Sequence, residues 1–284
     1  MNSPLGQLLV HIDASPQAVQ RVEAACRIRQ AHGSAVAALY AVTPSFVELP
    51  FSPEVGPGIA AALRDIDDER RIRARAAFEQ SLAKSNVEAA WAEIRDDPII
   101  AVFAQQALYA DLLVLGQHDP SSTASDGVPF DFVEAVMAAS GKPALVLPYA
   151  AVPEVVGETV VIAWKPTREA ARAVSAAVPL LQRARRVHIL SWSVDDERQD
   201  EVAIGGERLD LSGYLKLCGV EATWHRNGKE PDAMGELLLS RAFDLEADLL
   251  VMGCYGHSRA REWVLGGTSR TVLQSMTLPV LMAH

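Results

Sequence analysis

The chain repeats itself, and the repeat restricts its fold more than any other feature. The string "ADLLVLGQHDPSS" at 110–122 is matched by "ADLLVMGCYGHSR" at 247–259, and six of the first seven letters agree. Each string precedes a helical stretch, then a proline and an apolar run, "KPALVLP" at 142–148 and "LPVLMAH" at 278–284. Upstream, "LLVHIDASPQAVQRV" at 8–22 matches "VVIAWKPTREAARAV" at 160–174. Self-similarity over so long a period implies two copies of one domain. A length of 284 residues suits two ordinary domains. The reading places them at 1–150 and 156–284, joined near "YAAVPEVVGE" (149–158).

Each copy alternates strand and helix. Strands are expected at 7–13, 35–42, 87–94, 111–116 and 143–148, then at 159–164, 186–192, 220–225, 248–253 and 279–283. They are short and mostly apolar throughout, as parallel strands buried on both faces are. Helices are expected at 16–32, 58–84, 98–109 and 129–140, then at 168–183, 205–218, 232–244 and 260–275. The segment 43–58, rich in proline, reads as a loop. Such alternation predicts an α/β fold of two tandem, doubly wound, parallel five-stranded sheets with helices on both faces, related by a pseudo-twofold.

Composition narrows the function classes. Hydrophobic residues make up 49% and charged residues 22%, as in packed globular proteins. A net charge of −10 argues against nucleic acid or an anionic membrane as partner, because both favour a basic face. No apolar run approaches the roughly 20 residues of a membrane span. No charged leader with an apolar core opens the chain. Cys26, Cys218 and Cys254 are odd in number and far apart, which suits a reducing cytoplasm rather than a disulfide framework.

The most chemically suggestive stretch is "GCYGHSRAREWVLGG" at 253–267, directly after a strand. In an open parallel sheet, ligands bind beyond the carboxyl ends of the strands, where strand order reverses. Glycines permit close backbone approach, and a helix N-terminus favours an anion. The stretch is neither a Walker loop nor a dinucleotide G-x-G-x-x-G, which would follow the first strand. The spacing Gly253-x2-Gly256-x9-Gly266, together with the string "YGHSRAREWVLGGTSR", resembles the universal stress protein family. That family's nucleotide-binding members place Ser or Thr after the last glycine. Here Gly267 stands there, followed by Thr268 and Ser269.

The resemblance implies an ATP-type site, with Mg2+ accompanying the phosphates. The candidate nucleotide-binding residues are Gly253, Gly256, His257, Ser258, Arg259, Gly266, Gly267, Thr268 and Ser269, with Trp164 and Lys165, and the phosphates are expected near Gly256, Gly266, Gly267 and Thr268, helped by Arg259 or His257. The resemblance also implies an acid at the end of the first strand, near the ribose. The first copy has Asp13 there, whereas the second has Trp164 and Lys165. Asp13 therefore reads as the remnant of a site whose glycine loop became "GQHDPSSTASDG", with Asp119 and Asp126 opposing phosphate. Lys165 cannot accept a hydrogen bond from a ribose hydroxyl but can meet an anion.

Plainer readings stand beside these. The glycines suit a tight turn and close helix packing as well as a ligand. Cys254 and His257 make only two metal ligands, and zinc needs three or four. No nucleophile, base and orienting acid stand together. His11 reads as a core histidine with a hydrogen-bonding partner; Trp91, Trp224 and Trp263 read as packing residues; Asp67 and Asp68, with the arginines after them, read as a solvated helix face.

The expected function is a non-catalytic, cytoplasmic stress-response module that binds a nucleotide at its second copy and signals to unidentified protein partners. A ligand-free interaction scaffold and a weak ATPase or phosphotransferase are the alternatives. The resemblance implies pairing of the two copies through their last strands, Ala144–Leu147 and Pro279–Met282, and further dimerisation of the whole chain is compatible with it.

Overall fold

The computed structural model describes residues 5–48, 57–94, 98–119, 121, 127–150, 153–192, 203–204, 207–208, 210–228, 231–254 and 267–284. The chain divides into two compact units, Met1–Val152 and Pro153–His284.

The first unit runs β1 (Gln7–Ile12), α1 (Gln17–His32), β2 (Ala35–Tyr40), α2 (Ser45–Glu48), α3 (Pro57–Ser85), β3 (Ala90–Glu93), α4 (Ile99–Ala107), β4 (Leu112–Gly116), α5 (Phe132–Ser140) and β5 (Ala144–Leu147). Its strands lie in the order β3-β2-β1-β4-β5, every pair parallel. Helices α1 and α3 pack together, as do α4 and α5. Leu112, Leu113, Val114 and Leu115 of β4 are wholly buried, because helices cover both faces of a central parallel strand.

The second unit runs β6 (Thr159–Trp164), α6 (Arg168–Leu181), β7 (Arg186–Trp192), β8 (Ala203–Ile204), β9 (Glu207–Arg208), α7 (Leu211–Leu217), β10 (Thr223–Asn227), α8 (Met234–Asp244), β11 (Leu249–Gly253), α9 (Gly267–Ser275) and β12 (Val280–Ala283). Its parallel order, β10-β7-β6-β11-β12, repeats that of the first unit. Doubly wound five-stranded sheets are thus present in both units, as the alternation predicted.

Two segments differ from expectation, and a third lies partly outside the described residues. The helix expected over 205–218 begins only at Leu211, and β8 and β9 form a small antiparallel pair ahead of it. Asp210 sets that start by accepting a hydrogen bond from Gly213 N at 2.7 Å, as an N-cap does. The segment read as a loop contains α2, whose first residue, Ser45, is tied to Asp67 of α3 through both its N–H and its hydroxyl. That tie corrects the reading of Asp67 as solvated: Arg70 is itself buried and donates to Ser45 Oγ at 3.1 Å. Of the helix expected over 260–275, residues 267–275 are helical and 260–266 lie outside the described residues.

The repeated "AD" has a structural cause. Asp111 Oδ2 accepts hydrogen bonds from the N–H groups of Gly6 and Gln7, ahead of β1. Asp248 does the same for Gly157, Glu158 and Thr159, at 2.6–3.1 Å, ahead of β6. In each unit the acid before the fourth strand anchors the chain entering the first. No helix among the described residues is long and apolar enough to cross a membrane.

Candidate functional site

Strand order reverses between β1 and β4 in the first unit and between β6 and β11 in the second. Ligands enter at such points, above the carboxyl ends of the strands. The two units furnish the position differently.

In the first unit the reversal opens into a cleft of about 650 Å3. Asp13, just past β1, lies at its floor and is buried. Arg21 rises from the apolar face of α1, and its Nη2 stands 2.7 Å from Asp13 Oδ1 in an ion pair without hydrogen-bond alignment. Arg21 Nε donates to the carbonyl of His11 at 2.9 Å. Asp13 Oδ1 also accepts from Ser15 N and Oγ. Burial by itself would raise the Asp13 carboxyl, but Arg21, with His11 and Ser15, overrides it and brings the pKa down to about 2. The His11 ring is buried beside Phe132 and Phe103 and donates through Nε2 to Ala41 O at 2.9 Å. Burial lowers its pKa to about 4 against the pull of Asp13, so it is neutral at pH 7.

Gly116, the last residue of β4, makes room for this cluster. A Cβ there would land on Arg21 Nη1. Past it, Asp119 accepts from Ser121 N at 2.8 Å, Ser121 Oγ at 2.7 Å and Gln17 Nε2 at 3.2 Å. The Ser121 hydroxyl is the largest influence holding Asp119 below the usual carboxylate range. Asp119 therefore lines the cleft as an anion. Asp126 lies outside the described residues.

The second unit replaces this cluster residue by residue. The aligned strings put Ala163, Lys165 and Ala173 where His11, Asp13 and Arg21 stand. Trp164 is half-buried at the end of β6, and Lys165 is exposed beyond it. Thr167 caps α6, its hydroxyl accepting from Ala170 N at 3.3 Å. Glu169, in the first turn, is buried; burial would raise its carboxyl, but the hydrogen bond from Arg168 holds it low.

Gly253 ends β11 as Gly116 ends β4, but its neighbour is backbone: a Cβ would sit 2.7 Å from Glu169 C and 2.9 Å from Ala170 Cα. The glycine there serves the approach of α6. Gly267 opens α9, and a Cβ added to it would meet no atom of the described residues within 4 Å. Thr268 is half-buried and Ser269 is buried. Gly256, His257, Ser258, Arg259, Gly266 and Trp263 lie outside the described residues. The described donors suit an anion: the Lys165 ammonium, and the first backbone N–H groups of α9, which have no intrahelical partner.

Sequence reasoning did not single out Arg21. A cation among Ala18, Val22 and Ala25 on the buried face of α1 was the available signal, because a charge so placed needs a partner. Asp13 is such an acid, eight residues earlier. His11 is the buried, hydrogen-bonded core histidine that its strand position suggested. Trp91 packs on Phe78 and Tyr40.

Residues 158–284 match the model of the universal stress protein family. No curated protein gives a significant match. Among solved structures, a universal stress protein from Archaeoglobus fulgidus DSM 4304 aligns over 98% of this chain and 97% of its own, with 15% identity and a TM-score of 0.68. A putative universal stress protein from Pseudomonas aeruginosa UCBPP-PA14 aligns over 98% of this chain and 92% of its own, with 17% identity and a TM-score of 0.59. The fold of the whole chain is therefore one that universal stress proteins adopt, and the second unit carries the family's sequence signature.

Proposed function

We propose that the second unit is a non-catalytic binding module for ATP or a related nucleotide, accompanied by Mg2+, acting in a stress response. One observation carries the reading. Where the first unit buries an acid in an ion pair, the second presents the exposed cation Lys165 just past the end of β6. Gly256, Gly266, Gly267 and Thr268 would supply backbone donors to the phosphates, with His257 and Arg259 assisting. No described cluster offers a base and a nucleophile, and binding rather than turnover is the assigned role.

A ligand-free scaffold is the second reading. It is favoured by Gly253, whose glycine is explained by the approach of α6 without any ligand. Calorimetric titration of the full chain with ATP and Mg2+ separates the two. Saturable binding, weakened at least about tenfold by Lys165→Ala and lost in Gly256→Val/Gly266→Val, supports the nucleotide module. Absence of binding supports the scaffold, and steady phosphate release would reassign the protein as an enzyme.

A further inference from the structure

Helix α3 runs for 29 residues, Pro57 to Ser85, and presents more surface than its own unit covers. Its inner face is buried at Arg70, Ala74, Phe78 and Ser81. There α1 and α2 pack on it, and Phe78 meets Trp91 of β3. We infer that a second face of α3, a stripe from Ile59 to Ala83, is the contact through which two copies of this chain associate, as an antiparallel pair of helices. The contact uses neither of the strands that end the two units, and it does not rest on the nucleotide reading of the second.

Spacing sets the stripe. Steps of three and four residues along a helix return to one line. Such steps from Ile59 pass Ala62, Ile66, Glu69, Arg73 and Ala76, then Gln80, and end at Ala83; every one of these residues is exposed. Ile59 and Ile66 are 52% and 44% exposed. Ile72, 60% exposed, flanks the line on the side of the helix opposite Arg70 and Ala74. A single exposed isoleucine is ordinary, but three along one side of a helix form a continuous apolar edge.

Charge selects the partner. Glu69 and Arg73 stand at the middle of the stripe, one turn apart. The charges around them are already used: Arg71 pairs with Asp68, Arg75 pairs with Glu79 and lies over Trp91, and Asp67 and Arg70 hold Ser45. Glu69 and Arg73 pair with no described residue, and not with each other. A matching surface must set a base against the acid and an acid against the base. The same stripe, reversed, does so: with a twofold axis at this level, Glu69 of each copy faces Arg73 of the other. In that register Ile66 faces Ala76 and Ile59 faces Ala83, large against small, so the helices approach closely. The two Ile72 side chains meet across the axis and shield the ion pairs from water. Asp65 and Glu79 fall on the rim, where water screens them and Arg75 already balances Glu79. Antiparallel helices also set opposite dipole ends side by side. A parallel pair would put Glu69 on Glu69 and Arg73 on Arg73.

Size sets the strength. From Ile59 to Ala83 the stripe is about 36 Å long and about 10 Å wide, a contact of the weak, reversible class.

Sedimentation velocity of the full chain between about 1 and 200 μM is the test. The expected result is a reversible monomer–dimer equilibrium with a Kd of about 10–100 μM. Glu69→Arg and Arg73→Glu are each expected to weaken it at least about tenfold, because each sets like charges together twice. The double variant Glu69→Arg/Arg73→Glu exchanges the partners and is expected to regain the parent affinity within about threefold. An equimolar mixture of the two single variants is expected to dimerise at least as well as the parent, since one copy then carries two bases and the other two acids. Both positions are exposed, so the fold is retained, which an unchanged Tm checks. A chain that stays monomeric at about 200 μM overturns the inference. So does a dimer indifferent to the single variants, which would use another surface, or one that the double variant does not restore.

Discussion

Gly253→Ala tests why the glycine of the repeat stands where it does. The new methyl would press closest on the backbone N of Ala170 and lie 2.7 Å from Glu169 C, whereas ordinary contact begins at 3.4 Å. The neighbour is helix backbone rather than the free end of a side chain, so the first turn of α6 must retreat by about 1 Å. That retreat loosens Ala170, Ala173 and Val174, which are buried against the sheet. Overpacking of this kind costs about 1–3 kcal/mol, of which about 0.5–1 is offset because alanine has less freedom than glycine in the unfolded chain. A net loss of about 1–2 kcal/mol corresponds to a fall of roughly 3–10 °C in Tm for a unit of this size. Gly267→Ala is the control, since it lies in α9 and its methyl meets no atom of the described residues within 4 Å. Its expected effect is between zero and a stabilisation of about 0.5–1 kcal/mol. Urea unfolding followed by tryptophan fluorescence is the assay, because Trp164, Trp192, Trp224 and Trp263 lie in the second unit and only Trp91 in the first. If Gly253→Ala is as stable as the parent, or Gly267→Ala loses as much, the packing explanation is wrong and Gly253 becomes available as a ligand contact.

The buried His11 makes the first unit sensitive to acid. Its folded pKa of about 4 lies below the ordinary 6.5, so the unfolded chain takes up the proton first. The stabilisation is complete above pH 6.5 and falls by about 3 kcal/mol as pH drops to about 4. His11→Asn is expected to be less stable at pH 7 but to lose this slope, and an unchanged pH profile from urea midpoints would refute the assignment. Asp13, depressed from 3.8 to about 2, contributes a second loss over that lower window. Asp248→Ala removes the acceptor for three backbone N–H groups and is expected to cost about 1–3 kcal/mol. Asp111→Ala frees only two, both exposed, and is expected to cost less; equal effects in thermal unfolding would contradict the capping account.

The division into two copies and the parallel, doubly wound character of each were legible in the sequence. They follow from local matters: apolar runs of strand length, helical periodicity between them, and identical strings recurring in order. Segments whose structure depends on partners far along the chain were less legible. The turn at Ser45–Glu48 is held by Asp67, and the entry to β1 by Asp111, more than a hundred residues away. The glycine pattern marked the end of β11 but not its reason, because what crowds Gly253 is backbone at Glu169 and Ala170 of α6, a helix that packs on β11 although these residues lie more than eighty positions earlier in the chain. The acid at the end of β1 was visible, yet its pairing was not. Asp13 and Arg21 are eight residues apart, on a strand end and a helix, and only the crossover of α1 over β1 and β4 brings the guanidinium into the space above Gly116. Sequence alone determined which residue types stand at the two sheet reversals. The tertiary structure decided that one acid is neutralised inside a cleft while Lys165 in the other unit stays exposed, because burial and ion pairing are properties of packed elements rather than of neighbouring letters.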